Sequence, residues 1–328
     1  MSSIQAPATA SIAPPAARLP RRARAHPLVW VIAAAVLARV ALAVAAWLAT
    51  GGVAVFRTDD SLGYLHLARE LVERGTFSWD GRPNLVRTPG YPLFLVPGVL
   101  AGPVEVVTIA LQVVVSAVLV ATVYRLGRTF SGDRRAALAG AALFALDPLS
   151  ASATLLVQTE ILYAALIAAG LVLLTRHLES ERKWELAGGI ALLCAAVYVR
   201  PAGYFLPFCV AAFLAARAAR RRDLRLAGRA VLAAALAVAL LFPWQMRNRA
   251  RTGYGGFSAI SDMSVYFYNA GQVLAAREGI PFTEQLRRMG FPGGERYLAA
   301  HPEQRGWPEA DFYRYMRREG TRVIRENP

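Results

Sequence analysis

Residues 57–92 read RTDDSLGYLHLARELVERGTFSWDGRPNLVRTPGYP. They form a polar interlude between apolar runs, and they decide how the chain is read. Two adjacent carboxylates, Asp59 and Asp60, follow directly on an apolar run, and Tyr64, Leu67, Ala68, Leu71 and Val72 then recur at helical spacing. The far end carries Arg82 and Arg87 and leads into a proline- and glycine-punctuated apolar tongue, PGYPLFLVPGVLAGP. Acid and cation are thereby delivered to one membrane surface, and the remaining helices read as a frame around them.

Composition bounds the class. Of the 328 residues 55% are hydrophobic and 18% charged, with a mean hydropathy of +0.36, which excludes an ordinary soluble domain. Several apolar runs approach or exceed the length needed to cross a bilayer. The expected fold class is all-α, a polytopic transmembrane helical bundle with interfacial helices in the first outer loop. The formal charge of +15 comes from arginines clustered between apolar runs, where the positive-inside rule places them, so basicity reports topology rather than nucleic-acid binding. Lys183 is the sole lysine among 37 basic residues, and alanine is abundant, a composition that fits a GC-rich bacterial genome. Cys194 and Cys209 lie in apolar segments without metal-ligand spacing and read as buried thiols. No metal site is expected from the residues.

Residues 1 to about 20 read as a disordered tail that runs into the basic cluster Arg18, Arg21, Arg22 and Arg24, and then a signal anchor from Leu28 to Thr50. The N-terminus is then cytoplasmic, and Asp59 and Asp60 are outside. Val104 to Tyr124 returns inward to Arg125, Arg128, Arg134 and Arg135, while Tyr91 to Leu100 is short and reads as re-entrant or interfacial. A third span, Ala136 to Leu146, breaks at Asp147-Pro148; a fourth runs from Glu160 to Leu174, a fifth from Leu186 to Val199, and a sixth from Phe205 to Ala216. The basic loop Arg217 to Arg229 marks the cytoplasm, and a seventh span, Ala230 to Phe242, exits at Pro243-Trp244. Seven crossings put the C-terminus outside. The segment 251–328 holds eleven arginines against nine acids, a balance that suits translocation. The expected organisation is a basic tail at 1–27, a membrane module at 28–246 with its first outer loop at 51–103, and an extracytoplasmic segment at 247–328.

With this topology Asp59, Asp60, Arg87, Asp147, Glu160, Arg200 and Arg247 fall on the outer side. Ionisable groups gain nothing near a bilayer unless they pair or line a wet cavity. Carboxylate plus arginine is what a reaction with a phosphate leaving group uses. Each residue also has a structural alternative: Asp60 or Ser61 as a helix cap, Arg87 as a snorkelling arginine, Arg200 on last-turn carbonyls, and Glu160 favoured by the helix dipole. Arg39, near the middle of the first span, is costly there unless it is paired or faces a wet interior, and Asp147 is the partner to test.

The stretches TDDSLGYLHLARELVERGTF, RTPGYPLFL, Thr159-Glu160, YVRPAGYFLPF and PWQMRNRARTGYGGF resemble the bacterial family 39 and family 83 glycosyltransferases. These are GT-C-fold membrane enzymes related to protein O-mannosyltransferases and the lipid A aminoarabinose transferase. The resemblance covers roughly residues 28–270. It implies a GT-C-like module that moves a sugar, with inversion, from a polyprenyl-phosphate carrier to a lipid, glycan or protein acceptor on the outer face of a bacterial plasma membrane. Matched on the tyrosine four residues downstream, the catalytic carboxylate corresponds to Asp60, with Asp59 as competitor. The family's basic residue beside the proline tongue corresponds to Arg87; the chemistry then suggests Arg87 with Arg200 or Arg247 on the lipid phosphate and Glu160 as an acceptor-side or orienting group, with Asp59 and Tyr64 also expected in substrate binding. No cofactor is required, and a divalent metal is left open. Relatives continue with more membrane helices, so the chain is expected to be C-terminally truncated. The rival readings are a non-catalytic lipid-linked sugar flippase or transporter component, or an inactive truncated homologue.

Overall fold

The computed structural model describes residues 26–292 and 294–327. The expected tail and its arginines Arg18, Arg21, Arg22 and Arg24 lie outside the described residues. The helices in chain order are α1 (Pro27–Thr50), α2 (Asp59–Arg74), α3 (Gly90–Ala101), α4 (Val104–Ser131), α5 (Arg134–Leu146), α6 (Pro148–Leu155), α7 (Glu160–Ser180), α8 (Lys183–Val199), α9 (Leu206–Arg221) and α10 (Leu224–Thr252). A strand pair, β1 (Ser78–Trp79) and β2 (Arg82–Pro83), closes the loop after α2 as a minimal antiparallel hairpin. The remainder comprises α11 (Ile260–Met263), a π-helical segment (Ser264–Ala270), α12 (Gly271–Glu278), α13 (Phe282–Arg288), α14 (Gly294–Ala300) and α15 (Glu309–Glu326).

Among the described residues five helical segments are long and apolar enough to cross a membrane: α1, α4, α7, Pro201–Arg221 and α10. The α5–α6 pair, bent by 52°, makes a sixth if taken as one span. This is an all-α polytopic membrane protein. The fifth span expected from sequence is the 17-residue helix α8, whose Leu186, Ile190, Ala196 and Val197 are fully buried. It packs on α7 through glycines, since a Cβ on Gly189 would fall 2.6 Å from Leu174 and 3.2 Å from the Gly170 carbonyl oxygen. The short apolar run after Arg87 forms the 12-residue helix α3, too short to span.

The α5–α6 break follows from Asp147-Pro148. Proline disfavours helix in the residue before it, and the Asp147 side chain caps α6 by accepting from the Ser150 amide at 2.6 Å. Arg39 of α1 is wholly buried and donates into this bend, to the Ala145 carbonyl at 2.9 Å, Ser150 Oγ at 2.8 Å and Thr154 Oγ1 at 3.3 Å, and to its own Ala35 carbonyl at 3.2 Å. Asp147 therefore does not neutralise Arg39 by a direct ion pair; carbonyls and hydroxyls satisfy the guanidinium.

Helix α10 departs from expectation more. Instead of ending at Phe242 it runs through Pro243 to Thr252, where Gly253 takes a left-handed conformation (φ 76°) and donates to the Arg249 carbonyl. Proline sacrifices one backbone hydrogen bond, but the extra turns are anchored by their side chains. Trp244 Nε1 donates to the Phe257 carbonyl, and buried Asn248 donates to the carbonyls of Gly256 and Phe257.

Helix α2 is amphipathic as its spacing indicates, with Leu67 and Ala68 fully buried, and its Leu65 and Ala68 share a core with Tyr91 and Leu95 of α3. The start of α3 is pressed against α8, where a Cβ on Gly90 would lie 2.6 Å from the Tyr198 carbonyl carbon and oxygen. Backbone cannot yield as a side chain can. Gly90→Ala is expected to destabilise the protein by about 1–3 kcal/mol, read as a lowered melting temperature in detergent. A wild-type melt would show that the approach relaxes freely.

The C-terminal residues build a second small core from Tyr266, Phe267, Met289, Tyr297 and Met316. There α15 lies so close to the π-helical segment that a Cβ on Gly320 would meet Val265 and Tyr266 backbone at 2.9 Å.

Candidate active site

The N-terminus of α2 is capped without using either aspartate. Thr58 holds the N-cap position, its amide donates to Ser61 Oγ at 2.8 Å, and the Ser61 hydroxyl donates to the Val157 carbonyl at 2.8 Å. Asp59 and Asp60 occupy the first turn, where the helix dipole favours carboxylates, and both are exposed. Capping therefore leaves both carboxylates available.

Asp60 Oδ1 accepts from Arg87 Nη2 at 2.7 Å, while Oδ2 has no hydrogen-bond partner among the described residues. The pair is asymmetric in exposure, at 67% for the Asp60 side chain and 21% for Arg87. The Arg87 guanidinium lies 4.2 Å from the centroid of the Tyr64 ring, one helical turn beyond Asp60, and Gly63 clears the path, since a Cβ there would come within 3.1 Å of Arg87 Nε. Burial works against the arginine charge, but Tyr64 and Asp60 outweigh it and hold its pKa above the ordinary value. Arg87 is a fixed cation. Asp59 has no ion-pair or hydrogen-bond partner among the described residues.

A second group comes from α7 and α8. The segment before α7 is stitched to the one before α2, with the Val157 amide on the Phe56 carbonyl at 2.8 Å and Gln158 Nε2 on Thr58 Oγ1 at 2.9 Å. This stitching sets the two helix N-termini side by side. Glu160, the first residue of α7, pairs with Arg200, the residue that ends α8 before Pro201. Arg200 also reaches Thr159 Oγ1 at 3.4 Å. Between the groups stands Tyr91, edge-on to Tyr64 at 5.0 Å, its hydroxyl donating to Gln112 Oε1 at 2.8 Å. Gln112 in turn donates to the carbonyls of Thr154 and Leu156, both at 2.8 Å. A polar chain thus runs from Arg39 through Thr154 and Gln112 to the Tyr91 hydroxyl, and the Tyr91 ring meets that of Tyr64 beside Arg87.

Of the residues expected from sequence, the structure brings Asp59, Asp60, Tyr64, Arg87, Glu160 and Arg200 to one end of the bundle. Arg247 is engaged differently. Its guanidinium donates to the carbonyls of Phe77 at 2.8 Å and Asn84 at 3.1 Å and lies 4.7 Å from the Trp244 ring centroid, so it straps the loop after α2 onto α10. Arg247→Met should lower the melting temperature and loosen the 77–87 loop, measured as faster amide exchange there; unchanged exchange would refute the strap. Sequence reading missed Tyr91 and Gln112, which look like generic bundle residues, and the Arg57–Glu105 ion pair, which buries Glu105 at the start of α4. Only the polarity of Gln112 inside an apolar run could have signalled its role. Among the described residues no group of three or more His, Cys, Asp or Glu side chains is placed to hold a metal ion.

Residues 93–246 match the family model described as dolichyl-phosphate-mannose-protein mannosyltransferase. The match spans just under half of the chain and carries Glu160 and Arg200, whereas Asp59, Asp60, Tyr64, Arg87 and Arg247 lie outside it. That family implies a membrane glycosyltransferase using polyprenyl-phosphate sugar donors. No curated protein and no solved structure matches the chain.

Proposed function

We propose that the protein is an inverting glycosyltransferase of the plasma membrane of a bacterium, moving a sugar from a polyprenyl-phosphate carrier to an acceptor on the outer face. The observation that carries the reading is the meeting of the Asp60–Arg87–Tyr64 group with the Glu160–Arg200 pair at one end of a bundle whose helices match a polyprenyl-phosphate-dependent family. Asp60 Oδ2 takes the proton of the acceptor hydroxyl or amine as its heteroatom attacks the anomeric carbon. The bond from that carbon to the phosphate oxygen breaks, and the polyprenyl phosphate leaves with the electron pair. Arg87 and Arg200 meet the charge that develops on it, a role that suits the guanidinium fork. Tyr64 and Asp60 aim Arg87, Glu160 aims Arg200, and Asp59 sits where an acceptor group approaches. Arg247 supports the site through the loop it straps.

The test is transfer from a panel of radiolabelled polyprenyl-phosphate sugars to membrane acceptors by the purified protein in vesicles. Product formed from one donor and absent with Arg87→Gln supports the reading. Absence of product from every donor, with the protein folded, overturns it and favours a flippase or transporter component.

A further inference from the structure

Beside the Glu160–Arg200 pair lies a cavity of 570 Å³ that the transfer chemistry leaves unused. One wall is Pro201 and Ala202, directly after Arg200; another is the loop from Tyr254 to Ser258. That loop is fastened to the segment before Arg87, since the Ser258 hydroxyl donates to the Val86 carbonyl and the Ala259 amide to the Leu85 carbonyl at 2.8 Å. The cavity is therefore bracketed by the two segments that carry Arg87 and Arg200.

Its lining combines aromatic faces, Tyr204, Phe205 and Phe257, with Gln245 and two arginines of α15, Arg314 and Arg317. One carboxylate opposes them. Buried Asp262 accepts from the Tyr254 hydroxyl at 2.7 Å and lies 3.6 Å from Arg317. Burial raises its pKa, although Tyr254 and Arg317 pull the other way.

The positive charge continues out of the cavity. On α15, Ala310, Met316, Gly320 and Val323 are buried, whereas Arg314, Arg317, Arg318, Arg322 and Arg325 are exposed at helical spacing. At 1.5 Å per residue the stripe extends roughly 16 Å. Arg314 pairs with Asp311, and Arg322 with Glu319 and Glu326; Arg318 and Arg325 have no acidic partner among the described residues. A single phosphate would use one end of such a stripe, whereas a chain of repeated negative groups uses its length.

We infer that the cavity and the arginine face of α15 form the acceptor site, and that the acceptor is an oligosaccharide bearing anionic groups. This rests on the transferase reading and names its substrate class. The arginines pair with phosphate, sulfate or carboxylate groups along the chain, and the aromatic rings stack on the terminal sugar, whose hydroxyl is presented between Arg87 and Arg200. A flat anionic bilayer could meet the stripe but could not enter the cavity.

The test is calorimetric titration of the full chain in detergent with three probes: a heparin-derived hexasaccharide, neutral maltohexaose and hexa-aspartate. The heparin fragment should bind at least tenfold tighter than either other probe and weaken as salt is raised. Arg314→Gln with Arg318→Gln should weaken it tenfold or more, and so should Tyr204→Ala. Both arginines of the double variant are exposed, and an unchanged melting temperature confirms its fold. Equal binding of maltohexaose or hexa-aspartate, an unaffected double variant, or displacement by phosphatidylglycerol in the micelles overturns the inference. Transfer to an acceptor without binding of the anionic probe overturns the acceptor assignment alone. Binding without transfer from any donor overturns the transferase reading.

Discussion

Asp60→Asn is expected to lower sugar transfer by about 10²- to 10⁴-fold, the range that a positioned general base contributes. Asparagine keeps the size of the side chain and an oxygen that can accept from Arg87, so the ion-pair geometry survives as a hydrogen bond. It lacks the basic Oδ2 proposed to take the acceptor proton. The expected signature is a fall in kcat with donor KM and melting temperature close to wild type, because Thr58 and Ser61 cap α2 in place of Asp60. Asp59→Asn is the control. Its side chain is exposed and unpaired among the described residues, so its loss should cost far less. A collapse with Asp59→Asn and survival with Asp60→Asn would reverse the assignment of the base.

The largest effect on stability is expected from Arg39→Met. Methionine fills much of the same volume but leaves Ser150, Thr154 and the Ala145 carbonyl without their donor in the buried bend between α5 and α6. The hydroxyls keep their bonds to backbone carbonyls, but hydrogen bonds to a charged group contribute about 1.5–3 kcal/mol each, so a total above ~3 kcal/mol is expected. Thermal unfolding in detergent reads it directly. The loss should also reach the candidate site, because Thr154 and Leu156 position Gln112, which holds the Tyr91 hydroxyl. Arg39→Lys, which retains charge but fewer donors, should fall between. A wild-type melt for Arg39→Met would mean that the bend is held by Pro148 and packing alone.

Much of this arrangement is legible along the chain because its signals are local. Apolar run length marks α1, α4, α7 and α10; Asp147-Pro148 marks the bend; Glu160 and Arg200-Pro201 mark helix ends. The partners of Asp60 and Arg87 are half legible, since a carboxylate before an amphipathic helix and an arginine before a proline tongue are visible, but not that they touch across 27 residues. What escaped is non-local. The passage of α10 through Pro243 depends on Trp244 and Asn248 finding carbonyls in a loop that returns to them. Arg39 was expected near an acid and instead found hydroxyls and carbonyls that only the folded bend presents.

The sequence by itself determined a helical, multi-pass membrane chain with its unusual charges set at helix ends, because hydrophobic run length, proline and capping chemistry act over a few residues. Only the tertiary structure decided which charges meet. It paired Asp60 with Arg87 and Glu160 with Arg200, turned Arg247 into a strap, and opened a cavity toward α15. Those outcomes depend on contacts between distant segments, where a guanidinium takes whichever carboxylate, carbonyl or hydroxyl the packed helices bring within reach.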